Sequence, residues 1–215
     1  MDIVDPTNTA YVRSLLDRHD DPVLLEMESA AAEAGFPIVG RTVGVTLELL
    51  ARAIGARRII ELGSGFGYSA FWHARAVLAS GDASAELHLT DGDAENERRA
   101  LDYLGRAGLD GPVRFHVGDA VETLGGLDGE FDVVYDDIDK HGYTDAWRAA
   151  RDRIRVGGLY VCDNVLWFGR VAGAEPDDPV TDTIRRHNTA VAADERYLSV
   201  IDPERDGLLV ALRMA

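Results

Sequence analysis

Short apolar runs alternate with amphipathic stretches along most of the chain, and this alternation restricts the possible folds more than any other feature. The pattern is typical of βαβ units, in which helices cover both faces of a mostly parallel sheet. We therefore predict an α/β fold. The predicted strands are residues 58–62, 86–90, 113–117, 131–136 and 159–162, and the predicted helices between them are residues 68–78, 94–107, 120–124 and 143–154.

The two ends of the chain depart from this alternation. Residues 197–201 and 208–213 are apolar runs on either side of a turn-rich stretch, a pattern that predicts a β-hairpin and hence an antiparallel end to the sheet. Residues 9–34 and 42–54 have the three- and four-residue apolar spacing of helices. Because no repeat or linker divides the sequence, we predict one domain. Its predicted parts are an N-terminal helical cap at 1–38 and a core at 39–215.

The charge balance limits the partners of this protein. Its 38 acidic and 22 basic residues give a net charge of −16 at pH 7, and such a surface repels phosphate backbones and anionic lipid. We therefore expect no nucleic acid or membrane partner. No run approaches the roughly 18 apolar residues of a membrane span, and the first residues lack a secretory pattern, so we expect a cytoplasmic protein. With Cys162 as the only cysteine, any metal must be bound by oxygen or histidine.

A glycine-rich turn follows the first predicted strand, in the run E-L-G-S-G-F-G-Y-S that starts at Glu61. Such a turn lets the backbone approach a ligand closely, and the next helix offers free N–H groups. A dinucleotide-binding fingerprint would place its third glycine at position 68, which is Tyr68 here. Glu61 suits a cationic ligand such as S-adenosylmethionine better than a pyrophosphate. A tight turn with a solvated glutamate is the alternative.

Two further acids stand after predicted strands. Asp91 lies one βαβ unit after the glycine-rich turn, where a carboxylate can accept both hydroxyls of a ribose. Asp119 either contacts an adenine amino group or caps the helix that follows it. Both acids are therefore candidate cofactor contacts.

The densest polar cluster follows the fourth and fifth predicted strands. Asp137 and Asp139 lie beside Lys140, the only lysine in the chain, and Asp163 and Asn164 follow the next strand. Adjacent parallel strands present their carboxyl ends at the same sheet edge, so Asp137, Asp163 and Asn164 can converge as oxygen ligands for Mg²⁺. Three protein ligands leave positions open for substrate oxygens. Helix capping is the alternative for either half of the cluster.

These runs resemble the cation-dependent, S-adenosylmethionine-dependent O-methyltransferases typified by the caffeoyl-CoA and catechol enzymes. The similar runs are E-L-G-S-G-F-G-Y-S, F-D-V-V-Y-D-D-I-D-K-H-G-Y from Phe131, and G-G-L-Y-V-C-D-N-V-L-W-F-G-R-V from Gly157. The resemblance covers Val39 to the C-terminus. It implies a Rossmann-like class I methyltransferase, with a seven-stranded, mostly parallel sheet, an antiparallel C-terminal hairpin and helices on both faces, and it implies a homodimer.

The resemblance also implies roles for individual residues. Lys140 matches the general base of the catechol enzymes. An ordinary lysine amine is protonated at neutral pH, so this role requires the metal's charge or burial to favour the neutral amine. An ion pair with its acidic neighbours, and His141 as the base, are the alternatives. The implied catalytic residues are Lys140 and Asp137, and the implied metal ligands are Asp137, Asp163 and Asn164. With Asp119 added from its position, the predicted cofactor contacts are Val39, Gly44, Glu61, Gly63, Ser69, Asp91, Asp119, Ala120 and Asp139.

The chain departs from the family pattern around this cluster. Where the family commonly reads V-D-A-D-K, this sequence places Asp136 and Ile138 on either side of the first predicted metal ligand. Trp167 and Phe168 are candidate walls for an aromatic acceptor, although plant enzymes carry a polar residue at the position of Phe168. We predict methylation of a small catechol-like or caffeoyl-like phenol. The alternatives are a methyltransferase of another specialised metabolite and a catalytically silent cofactor-binding protein; a nicotinamide-dependent reductase fits the sequence less well.

Overall fold

The computed structural model describes residues 6–173 and 178–215, and these form eight α-helices and seven β-strands. The strands are β1 (Arg58–Leu62), β2 (Glu86–Asp91), β3 (Val113–Val117), β4 (Phe131–Asp136), β5 (Ile154–Cys162), β6 (Tyr197–Asp202) and β7 (Leu208–Arg213). The helices are α1 (Pro6–Ser14), α2 (Pro22–Ala34), α3 (Gly40–Ala53), α4 (Tyr68–Ala79), α5 (Ala94–Arg106), α6 (Ala120–Gly126), α7 (Tyr143–Ala150) and α8 (Pro179–Ala192). Short 3₁₀ helices occupy Asp17–His19, Lys140–Gly142 and Trp167–Ala172.

All seven strands belong to one sheet, in the order β3-β2-β1-β4-β5-β7-β6. The first five strands of this order are parallel, and β7 is antiparallel to both β5 and β6. The predicted fold class is therefore confirmed. In the register, Leu62 lies beside Asp136, and Asp136 lies beside Cys162. The loops after β1, β4 and β5 consequently leave the sheet at the same level.

Alternate residues of each central strand enter separate cores on the two faces of the sheet. Ile59 packs into one core and Ile60 into the other, as the two-residue period of a strand requires. Helices α2 to α5 cover the first face and α6 to α8 the second, which confirms helices on both faces. The helix residues that carry these contacts include Leu24, Leu47, Trp72 and Leu104 on the first face, and Leu124, Trp147 and Ile184 on the second.

The prediction of a helix over residues 143–154 is wrong at its end. α7 stops at Ala150, and Ile154 already pairs with Phe131 as the first residue of β5. The backbone N–H of Phe131 also donates to the carbonyl of Arg153, so sheet pairing takes over directly after the helix. Helical spacing around Trp147 continues into the strand sequence, and this overlap hid the boundary.

Helix α8 was not predicted from the sequence. Its start has a clear local signal, because the Asp178 side chain accepts a hydrogen bond from the Val180 N–H and Pro179 occupies the first turn. Ile184, His187 and Val191 then face the core. None of the described helices is long and apolar enough to cross a membrane.

Candidate active site

The carboxylate of Glu61, at the end of β1, is completely buried, which excludes a solvated glutamate at this position. One oxygen accepts a hydrogen bond from the Ser69 hydroxyl at 3.0 Å, and the other contacts Nδ1 of His73. Both partners lie on α4. Glu61 therefore attaches the first turns of this helix to the end of β1, directly below the glycine-rich turn.

The glycine-rich turn is held against two neighbouring loops. Gly63 has a φ of +82°, and a Cβ added there would lie 2.6 Å from the carbonyl oxygen of Asp137. The N–H of Gly65 donates to the Asp91 carboxylate at 3.0 Å, and the same carboxylate accepts from the N–H of Asp93 and the amide of Asn96. The structure thus brings the predicted ribose-binding acid to the glycine-rich turn.

The other predicted cofactor contacts lie around the same end of the sheet or in the helix before it. Val39 is buried just before α3, and Gly44 faces Trp72 so closely that a Cβ would lie 2.2 Å from the indole nitrogen. Asp119 caps α6 by accepting from the Glu122 N–H at 2.8 Å, and Ala120 is the first residue of that helix. The capping alternative for Asp119 is confirmed; its contact with a cofactor stays a prediction, as do those of the other residues. Asp139 is exposed in the loop after β4.

Two of the three side chains predicted to bind a metal contact a positively charged side chain of the protein itself, that of Lys140. The Lys140 ammonium lies 3.4 Å from Oδ1 of Asp137 and donates to Oδ1 of Asn164 at 2.9 Å. Two of the three predicted ligands therefore share one positive charge, although they follow different strands. This contact includes one of the ion pairs that the sequence offered as the alternative for Lys140, the pair with Asp137, and the role of Lys140 as a base stays a prediction.

The third predicted ligand, Asp163, has a polar atom without a partner. Its side chain is buried, and Oδ1 accepts no hydrogen bond from any residue that the structure describes. A buried carboxylate oxygen without a partner is costly in a folded protein, and a bound cation removes that cost. Two carboxylates and an amide oxygen are also the ligands that hard divalent cations prefer, so the residues present fit Mg²⁺.

The electrostatics of this site also favour added positive charge. Removal from water raises the pKa of Asp137 to about 7, even though the Lys140 ammonium opposes the change, and nearby Asp163 raises it further. Burial likewise raises the pKa of Asp163. Burial is the main cause of both shifts, and added positive charge beside these carboxylates would lower both pKa values.

The loop after β5 has an unusual backbone. Asn164, Trp167 and Phe168 have φ values of 57°, 47° and 55°, in the left-handed region that non-glycine residues rarely adopt. Such conformations cluster at ligand-binding sites, where the surrounding structure holds them. Here the β6–β7 turn does so, because Asp206 accepts from the Phe168 N–H at 2.5 Å and from the Leu166 N–H at 2.8 Å.

The two predicted acceptor-contacting residues differ in exposure. Phe168 is 77% exposed, whereas Trp167 packs partly buried against the core of the second face. Their rings lie 5.3 Å apart. The loop therefore presents one aromatic side chain to solvent and anchors the other.

A second polar cluster lies under the loops after β4 and β5, and the sequence analysis missed it. Asp136, Cys162 and His187 are all buried with potential ligand atoms within 4.8 Å of one another. However, the Tyr160 hydroxyl donates to Asp136 at 2.6 Å and lies 3.0 Å from Nε2 of His187. The cluster is thus a hydrogen-bonded network built around a tyrosine.

Comparisons with known proteins indicate which family the chain is similar to. A family model described as O-methyltransferase matches residues 17–214. A catechol O-methyltransferase of Niastella koreensis is 34% identical over 213 residues, covering 94% of each protein. Caffeoyl-CoA O-methyltransferase 2 of Petunia hybrida is 31% identical over 80% of this chain and 74% of its own length.

A solved structure is similar over nearly the same span. The O-methyltransferase TomG from Streptomyces achromogenes, involved in tomaymycin synthesis and crystallised in complex with SAM, has a TM-score of 0.81 and 29% identity. The match covers 91% of both chains.

Proposed function

The chain belongs to the O-methyltransferase family, and we propose that it transfers the methyl group of S-adenosylmethionine to a hydroxyl of a small catechol-like or caffeoyl-like phenol with the help of a divalent cation, Mg²⁺. The observation that carries this proposal is the shared contact of Asp137 and Asn164 with one ammonium, beside the unpartnered oxygen of Asp163. The names of the catechol and caffeoyl-CoA relatives support the acceptor class, and the SAM complex of TomG supports the methyl donor.

In the proposed reaction, the protein aligns donor and acceptor and increases the negative charge on the acceptor oxygen. S-adenosylmethionine, when bound, supplies an electrophilic methyl group, and Mg²⁺ supplies positive charge that lowers the pKa of a phenol hydroxyl. Asp137, Asp163 and Asn164 would hold the cation. Lys140 would accept the hydroxyl proton at Nζ only as the neutral amine, becoming the ammonium while the acceptor oxygen takes the methyl group from the sulfonium, which would leave as a neutral thioether.

A methyl-transfer assay tests the proposal. Labelled S-adenosylmethionine is incubated with a panel of catechols and caffeoyl esters in Mg²⁺ or in EDTA, using the native chain, Asp137→Ala and Asp145→Asn. Asp145 is an exposed acid on α7 and serves as the matched control. We expect turnover that requires both Mg²⁺ and Asp137 and is unchanged in Asp145→Asn. Equal turnover in EDTA would contradict the metal-dependent mechanism.

A second candidate acceptor has one specific observation in its favour. TomG acts in tomaymycin synthesis, and its structure matches 91% of this chain. A hydroxyl on another small specialised metabolite is therefore the alternative substrate. Metal-dependent methylation of such compounds, with no activity on catechols and caffeoyl esters, would favour it. Binding of S-adenosylmethionine without transfer to any acceptor would instead indicate a silent binding protein.

We also propose that the protein is a homodimer. β6 is the outer strand of the sheet, and its Leu198 and Val200 side chains, two residues apart and so on the same face, are about two-thirds exposed (65% and 64%). A second copy of the chain would cover them. Light scattering after size-exclusion chromatography should give the dimer mass for the native protein and the monomer mass for Leu198→Glu. A monomeric native protein would contradict this proposal.

A further inference from the structure

A continuous set of contacts joins helix α8 to both loops that carry the proposed metal ligands. On the β4 side, the Tyr160 hydroxyl lies between Asp136, which directly precedes Asp137, and Nε2 of His187 on α8. On the β5 side, the Asn188 amide donates to the carbonyl of Val165 at 2.8 Å, and Val165 directly follows Asn164. Adjacent residues of one helix are therefore linked to the neighbours of two separate ligands, His187 through the Tyr160 hydroxyl and Asn188 directly.

A third contact reaches the remaining ligand. The Tyr143 hydroxyl donates to the backbone carbonyl of Asp163 at 2.6 Å, and the ring of Tyr143 packs 5.2 Å from that of His187. Tyr143, Tyr160 and His187 are all completely buried, so these groups have no water to replace their protein partners. Each proposed ligand thus has a backbone or side-chain neighbour held by this network.

The network also accounts for the complete burial of Asp136, because a lone carboxylate buried there would be costly. The Tyr160 hydroxyl offsets that cost by donating to it. The acid and its partners on β5 and α8 therefore form one unit that an apolar residue at position 136 would not create.

We propose that His187 and Asn188, with Tyr160, are positioning residues that set the spacing between the Asp137 loop and the Asp163–Asn164 loop for a divalent cation. This inference rests on the proposed function, because it assumes a metal at those three ligands. Residues that orient metal ligands from behind typically change metal affinity by roughly 10- to 100-fold when they are removed. Among the described residues, the end of β1, where the cofactor is expected to bind, makes none of these contacts. The affinity for S-adenosylhomocysteine should therefore not depend on Tyr160, His187 or Asn188.

The test measures metal binding directly, without turnover. Mn²⁺ is titrated into the full chain and free Mn²⁺ is followed by electron paramagnetic resonance, with and without S-adenosylhomocysteine, for the native protein, Tyr160→Phe and Asn188→Ala. Val191→Ala is the matched control, because Val191 is a buried core residue on α8, four residues after His187. Calorimetry gives the Kd of S-adenosylhomocysteine, and thermal denaturation gives the Tm of each variant.

We expect Tyr160→Phe and Asn188→Ala to raise the Mn²⁺ Kd about tenfold and to leave the S-adenosylhomocysteine Kd within about twofold. Val191→Ala should lower the Tm without changing the Mn²⁺ Kd. Native Mn²⁺ affinity in folded Tyr160→Phe and Asn188→Ala would overturn this inference alone, as would an equal loss of affinity in Val191→Ala. A native protein that binds no Mn²⁺ would overturn the proposed metal site and this inference with it.

Discussion

At the end of β1, the buried Glu61 carboxylate has a protein partner for each of its oxygens, whereas at the end of β5 the buried Asp163 carboxylate has an oxygen with none. In the first region the carboxylate has no unpartnered oxygen, although Nε2 of its partner His73 has no partner among the described residues. The second combines neighbouring acids, a single ammonium and left-handed backbone at non-glycine residues. We call the end of β1 with its glycine-rich turn the cofactor end, and the ends of β4 and β5 with Asp137, Asp163 and Asn164 the metal end. We infer that the cofactor end is ordered by its own hydrogen bonds and that the metal end needs a bound cation to give its buried carboxylates a partner.

The two regions meet at one glycine, and substitution there should have the largest effect. Gly63→Ala would place a Cβ 2.6 Å from the Asp137 carbonyl at a φ of +82°, so strain and overpacking together should lower the free energy of unfolding by about 3 kcal/mol. S-adenosylhomocysteine and Mn²⁺ should both bind more weakly. Gly81→Ala is the matched control, because Gly81 has a φ of +68° but no neighbour within 4 Å. Equal effects in the two variants would show that the contact with Asp137 is unimportant.

The cofactor end should be sensitive to loss of its hydrogen bonds. Glu61→Gln replaces one accepting oxygen by a donor, and we expect unfolding to become easier by about 2 kcal/mol, which is a Tm decrease of roughly 4–8 °C for a chain of this size. Thermal denaturation measures this change. The control is Glu95→Gln, since Glu95 is exposed and pairs with Arg98 on the surface. A Tm shift no larger than that of the control would mean that the buried contacts add little stability.

At the metal end, removal of a carboxylate should increase stability relative to the native chain as the pH rises, rather than decrease it. In EDTA, Asp137 has a pKa of about 7 in the folded protein and its ordinary value of 3.8 in the unfolded chain. Between these two values the folded protein holds a proton that the unfolded chain has released. The free energy of unfolding therefore falls as the pH rises towards 7. Asp137→Asn lacks that cost. Its stability relative to the native chain should therefore increase by about 1–2 kcal/mol between pH 5 and pH 7 and then level off. Denaturant unfolding across this range measures the difference, and a difference independent of pH would contradict the raised pKa.

The smallest effect on stability is expected for substitution of Phe168, in the loop after β5. Phe168 is 77% exposed, so Phe168→Ala should change the free energy of unfolding by less than about 0.5 kcal/mol. If its ring contacts a phenolic acceptor, the KM for that acceptor should rise several-fold while kcat changes little. Steady-state kinetics with the acceptor found in the methyl-transfer panel decides this, and an unchanged KM would remove Phe168 from the acceptor site.

The sequence predicted the strands and the convergence of polar residues well because both follow from local patterns. Apolar runs mark buried parallel strands, and residues after neighbouring strands must share a sheet edge, which brings Asp137 and Asn164 together. The contacts of Tyr160 with His187 could not be predicted in this way. They join residues distant in the chain, and His187 lies on a helix whose only clear signal was Asp178-Pro179 at its start.

The backbone conformation of the loop after β5 could not be predicted from the sequence either. Left-handed conformations are normally marked by glycine or asparagine, but Trp167 and Phe168 adopt them because Asp206 of the β6–β7 turn binds the loop. The burial of Glu61 depends on Ser69 and His73 facing inward from α4, and no short motif states that orientation. Tertiary contacts, rather than local preferences, therefore determine the parts that the sequence did not reveal.

The most direct test of the proposed metal site is an anomalous-scattering map from crystals grown with Mn²⁺ and S-adenosylhomocysteine. Our account predicts one strong Mn²⁺ peak contacted by oxygens of Asp137, Asp163 and Asn164, with the Lys140 amine displaced from at least one of them. A map without a peak at these residues, or with its peak at Asp136, Cys162 and His187 instead, would contradict it.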